Sequence, residues 1–157
     1  MLSPPIGLPK QKASGMALFN LGFRPFFLGA SIFALISMTI WMAIYSHPLP
    51  IKFESITAMQ WHAHEMIYGY GLAVIAGFLL TAVKNWTGIQ TLHGKPLLGL
   101  FSIWAIARLL LLGGSPYIMF AALADLLFGL LLMFAVVHPI IKTRQWKQMA
   151  VLSKLIL

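Results

Sequence analysis

The residues best suited to chemistry cluster between Met59 and Tyr70, around Trp61-His62-Ala63-His64-Glu65-Met66. Imidazole binds haem iron, and imidazole combined with thioether suits copper(I). The 157-residue chain contains no cysteine. Disulfides, thiolate metal sites, iron–sulfur clusters and cysteine nucleophiles are therefore excluded, and any metal must be held by His, Met, Glu or Asp. On a regular helix Met59, His62 and Met66 share one face, and Trp61, His64 and Tyr68 share another. Residues two apart point about 200° away from each other. His62 and His64 then either serve two sites or sit on an unwound helix entrance. The competing reading is a pair of interfacial histidines bonded to headgroups or water.

Three ionisable residues accompany this stretch. Glu65 heads a row of small residues, Gly69, Ala73, Gly77 and Thr81, each four apart. Such a ridge lets another helix approach closely in lipid, which turns Glu65 toward the neighbouring helices. There Glu65 can orient a ligating imidazole from behind, take part in proton transfer, or pair with Arg108. Arg108 and Asp125 lie at comparable depth on either side of the turn Gly113-Gly114-Ser115-Pro116. Each ionisable group at such depth costs about 2.5–3.5 kcal/mol on insertion scales. A buried Arg108–Asp125 ion pair offsets that cost. Alternatively, Arg108 meets an anion such as a haem propionate. His47 reads as a loop residue, and His93 and His138 are assigned no role.

The elements that position these groups are apolar throughout. The chain is 60% hydrophobic and 9% charged, with a mean hydropathy of +0.88 and a net charge of +8. Soluble domains are nearer 45–50% apolar and about 25% charged. That excludes a soluble fold, a nucleic-acid binder and a disordered tail. Four segments are long enough to cross a bilayer: Phe26–Tyr45, Trp61–Val83, Leu97–Leu112 and Tyr117–Val137. Lipid leaves no partner for an open strand, so all four are expected to be helices. Pro25 suits a first helical turn, and His47-Pro48-Leu49-Pro50 is a stop. Asn85, Gly88, Gly94 and Pro96 punctuate the second connection, and His138-Pro139 is expected to close the fourth span. The fold class is an all-α transmembrane bundle. It divides into an N-terminal segment 1–25, a four-span region 26–137 and a basic C-terminal segment 138–157, in which Val151–Leu157 resembles the start of a further span. The first span is too long for a signal peptide and has no small-x-small cleavage site after it.

Orientation follows from the cations. Lys10, Lys12, Arg24, Lys84, Lys95, Lys142, Arg144, Lys147 and Lys154 fall on one side, and only Lys52 falls on the other. Nine against one puts both termini in the cytoplasm. The histidine stretch then lies toward the outer face.

Three motifs together carry a resemblance. Phe23-Arg24-Pro25-Phe26-Phe27 enters the first span, Trp61-His62-Ala63-His64-Glu65-Met66 opens the second, and Gly77-Phe78-Leu79-Leu80-Thr81-Ala82-Val83-Lys84-Asn85-Trp86-Thr87-Gly88 ends it. Their order and spacing, with Gly94-Lys95-Pro96 and the Arg108 helix, resemble the NnrS family. Lys84 stands where that family more often has proline. The resemblance implies a multi-pass protein of the bacterial inner membrane that carries haem and copper and acts in nitric oxide metabolism or nitrosative-stress protection. It implies His62 and His64 as haem or metal ligands; the residue chemistry adds Met66 as a soft copper ligand, Glu65 behind a ligating imidazole and Arg108 against an anionic group of a cofactor. It also implies partners beyond the lipid bilayer, either further transmembrane helices or a homo- or hetero-oligomer. The alternatives are part of a small-anion or proton-coupled transporter, with Glu65, Arg108 and Asp125 along its path, and a truncated structural bundle without cofactor. Reporter fusions after Lys10, Glu54, Gln90 and Ser115 should alternate inside, outside, inside, outside. A cytoplasmic signal at Glu54 would reverse the orientation.

Overall fold

The computed structural model describes residues 17–46 and 56–144. The expected stop at His47-Pro48-Leu49-Pro50, the isolated outer cation Lys52, and the cations Lys10, Lys12, Lys147 and Lys154 lie outside the described residues, as does the apolar tail Val151–Leu157.

Among the described residues every regular element is helical. A 3-10 turn, Ala17–Asn20, leads into α1 (Phe23–Ser46). Next come α2 (Ala58–His64), a π-helical segment (Glu65–Gly71) and α3 (Leu72–Thr87), then α4 (Lys95–Leu112), a second 3-10 turn (Ser115–Tyr117) and α5 (Ile118–Lys142). From α2 to α3 the chain forms one continuous rod, Ala58–Thr87, so four rods are long and apolar enough to span a membrane. Their outward faces carry large apolar side chains: Leu35 is 74% exposed, Met119 72% and Phe134 69%. Apolar surface on this scale belongs against lipid.

Several rods run past the ends expected from the sequence, and the second rod's start and the last rod's end each have a local reason. The second rod starts at Ala58, not Trp61, because Thr57 and Gln60 form a capping box. Gln60 N–H donates to Thr57 Oγ1 at 3.1 Å, and Thr57 N–H donates to Gln60 Oε1 at 2.8 Å. Two N–H groups that a helix start leaves unpaired are thereby satisfied. The first rod starts at Phe23, with Pro25 in its opening turn. The last rod runs through His138-Pro139 to Lys142. Proline removes one helical hydrogen bond, but Pro139 and Ile140 are buried against the bundle, and that packing continues the helix. Thr143 Oγ1 then donates to the carbonyls of Pro139 (3.0 Å) and Ile140 (3.3 Å), which closes the end. At the other turns glycine is required. Gly88 (φ 68°) ends α3 in the left-handed region, and Gly94 (φ 62°) starts α4 while its N–H bonds Phe19 O at 2.7 Å.

In the bundle α1 packs on α3 and α4 packs on α5, while α3 also meets α5. Phe26, fully buried, is the hub: its ring lies 5.6 Å from Phe101, 6.4 Å from Trp104 and 5.7 Å from Phe128. It thus joins α1 to α4 and α5. Between α1 and the second rod the approach is closer still. A Cβ placed at Gly77 would lie 2.9 Å from the Phe27 ring, and one at Gly69 would overlap Phe33. The small-residue ridge therefore seats α1. Since lipid tails are as apolar as leucine, this fit is itself the attraction. Gly77→Leu should destabilise the bundle by at least about 1–3 kcal/mol, whereas Leu126→Ala on the outer face of α5 should change stability by about 0.5 kcal/mol or less. Unfolding in detergent monitored by tryptophan fluorescence compares the two.

Candidate functional site

Where α2 passes into the π segment, the hydrogen-bond ladder widens. Glu65 N–H is shared between Trp61 O and His62 O, and Leu72 N–H closes the segment by reaching Ile67 O, five residues back. Gly69 and Gly71 fall in this stretch, where low helical preference tolerates the extra residue. Trp104 Nε1, from α4, donates to Gly69 O at 2.9 Å and ties the widened turn to the neighbouring rod. Segments of this kind recur at functional sites. A face read with a period of 3.6 residues does not carry unchanged through it.

Glu65 is fully buried and points into the bundle. Arg108 Nη1 donates to Glu65 Oε2 at 2.6 Å, and Arg108 Nη2 donates to Asp125 Oδ1. One guanidinium from α4 thus holds a carboxylate of the second rod and a carboxylate of α5. All three side chains are at most 5% exposed. His64 Nε2 lies 3.5 Å from Asp125 Oδ2, which extends the cluster to a fourth group. Gly69 makes room for it, since a Cβ there would overlap the Glu65 carboxylate as well as Phe33. With His64 neutral and both acids ionised, the formal charge is −1.

The sequence reading treated Glu65–Arg108 and Arg108–Asp125 as separate possibilities. The structure brings them together in one bridge. It directs both Nη atoms at protein carboxylates, while Arg108 Nε is buried with no hydrogen-bond partner among the described residues. Glu65, likewise, is turned to Arg108; the carboxylate beside an imidazole is Asp125. The charge count held the signal for the bridge, since two acids and one arginine inside apolar spans leave one acid over unless the arginine is shared.

The two histidines are held apart. The His62 ring stacks on Trp41 of α1, with centroids 4.3 Å apart and planes 15° from parallel. The His64 ring stacks on Tyr68 at 4.6 Å and 16°. Each keeps a buried Nδ1 without a hydrogen-bond partner. Met66 is half-buried on the π segment, and Met59 is 64% exposed. Among the described residues no group of three or more His, Asp or Glu is arranged to hold a metal ion. His93 Nδ1 lies 3.1 Å from Thr91 O, and His138 lies against Phe134 at 5.7 Å; both are remote from the cluster.

Arg108→Leu leaves two buried carboxylates without their cation and should cost about 3–5 kcal/mol. Adding Asp125→Leu should rescue it only in part, because Glu65 stays uncompensated. The triple change with Glu65→Gln should recover most of the loss. Thermal unfolding in detergent ranks the three, and full rescue by the double change would show that Glu65 is held by something other than Arg108.

A family model described as NnrS protein matches residues 17–157. No curated protein and no solved structure matches the chain. The matched stretch takes in all four membrane-spanning rods, both histidines and the three-way ion bridge, and the chain accordingly belongs to the NnrS family of membrane proteins.

Proposed function

We propose that this chain carries haem and copper in the bacterial inner membrane, as part of the response to nitric oxide or nitrosative stress. The observation that carries the reading is the state of the two histidines. Each ring is fixed by an aromatic neighbour, and each retains a buried Nδ1 with no partner in the chain. An imidazole so held is preorganised to donate that lone pair to a metal. His64 has the more complete arrangement. Its Nε2 lies 3.5 Å from Asp125 Oδ2, which has no hydrogen-bond partner among the described residues, and a carboxylate that closes on that nitrogen would fix the tautomer and raise the basicity of the ligating one. Arg108 and Glu65 act behind it by holding Asp125 in place. Because His62 faces α1 while His64 faces α5, they serve separate groups.

His62, His64 and Met66 would hold the iron and copper, which when bound supply redox chemistry and a ligation point for nitric oxide. The described residues supply fewer than three ligands at any one point, so the remaining donors come from further transmembrane helices or a second subunit. The cation asymmetry supports cytoplasmic termini and a site toward the outer face.

Haem and copper content of the membrane-extracted protein provides the test. His62→Ala and His64→Ala should each deplete a different group. Asp125→Asn should weaken retention of the His64-held group about 10–100-fold and spare the other. Unchanged content of both in the double histidine variant would return these residues to an interfacial role.

A further inference from the structure

A second feature lies at the opposite end of the bundle. Between the start of α1 and the end of α3 is a crevice of about 350 Å³. Its floor is Gly77, which has no side chain, and Thr81, whose hydroxyl is turned back onto Gly77 O at 3.0 Å. The floor is therefore apolar although threonine contributes to it. Phe27 and Phe78 form the walls, and Asn85 and Trp86 lie toward the helix end. The volume is at the lower limit of ligand sites, about 300–1,000 Å³, and suits a slender apolar chain.

The charge at this end has one sign. Apart from Arg108, the cations among the described residues are Arg24, Lys84, Lys95, Lys142 and Arg144, and all lie at this end of the rods. The acidic residues among the described residues, Glu65 and Asp125, are both consumed by Arg108 in the opposite half. Arg24 follows Phe23, a lining residue, and its Nη1 donates to Ala17 O at 2.9 Å at the same end of the bundle. Lys84 immediately precedes Asn85 in the lining.

From this combination we infer that the α1–α3 crevice binds an anionic phospholipid, with one acyl chain between Phe27 and Phe78 against Thr81 and the phosphate at the cationic end of the bundle that Arg24 and Lys84 supply. Basic pockets between transmembrane helices on the cytoplasmic side are suited to such headgroups. A second copy of the chain fits worse, because symmetric docking would bring two positively charged ends together.

Trp86 in the lining provides the probe. The full chain is reconstituted in phosphatidylcholine vesicles containing a minor fraction of brominated phosphatidylglycerol or brominated phosphatidylcholine at equal mole fraction. Bromine quenches tryptophan on contact. Brominated phosphatidylglycerol should quench at lower mole fraction, and Trp86→Phe should abolish the difference. Lys84→Gln should reduce the preference roughly fivefold, the effect of about one surface cation. Lys142→Gln removes the same charge at the same end but away from the crevice, and should leave the preference nearly intact. Equal quenching by the two lipids, a preference that survives Trp86→Phe, or equal effects of Lys84→Gln and Lys142→Gln would each overturn the site.

Discussion

One guanidinium fixes the internal geometry of this bundle. Arg108 is fully enclosed by apolar rods and faces a carboxylate on each side, Glu65 on the second rod and Asp125 on the fourth. In so dry a setting each charge is costly alone, and the mutual attraction offsets that cost only when the contacts are close. The bridge therefore tolerates little sliding of the three rods past one another. Packing of apolar side chains is more forgiving, because lipid tails can replace a lost contact. The axial register of the second, third and fourth rods thus rests on three polar side chains, and that register sets the distance between His64 and Asp125.

The π segment and the small-residue ridge complete this arrangement. Gly69 serves both. It lies within the widened turn, where its carbonyl accepts the Trp104 indole, and its missing side chain leaves space for Glu65 and for Phe33 of α1. A residue chosen for close helix packing thus also makes room for the carboxylate. The first rod, which contributes no group to the ion bridge, is located by the aromatic hub at Phe26 and by the Trp41–His62 stack.

Much of the architecture was legible because lipid restricts the options. Long uncharged runs read directly as helices, and Gly88, Gly94 and Gly114 marked turns that only glycine completes without strain. The small residues from Gly69 to Thr81 identified the face that seats another helix. Other features were hidden for physical reasons. The 3.6-residue period gave two sensible faces for His62 and His64, but a π turn follows directly after them. Pro139 read as a terminator because a lone helix would end there, whereas burial of its ring extends the rod. The capping box at Thr57 was readable from its spacing, yet the apolar run beginning later at Trp61 obscured it. The sharing of Arg108 between two acids required knowing that α4 lies between their rods, which no local pattern contains.

The bridge also has a direction in time. Glu65 precedes Arg108 by 43 residues, and Asp125 follows it by 17. A chain emerging from its amino end completes the rod bearing Glu65 first and then the rod bearing Arg108. At that stage the bundle holds one acid and one base, formally neutral, and is already closed by a charge-assisted hydrogen bond. The fourth rod then brings an acid whose cation is waiting in position. Synthesis order and electrostatics thus coincide through the third rod, and the fourth adds a second acid that shares a cation already in position and takes the cluster to its formal charge of −1.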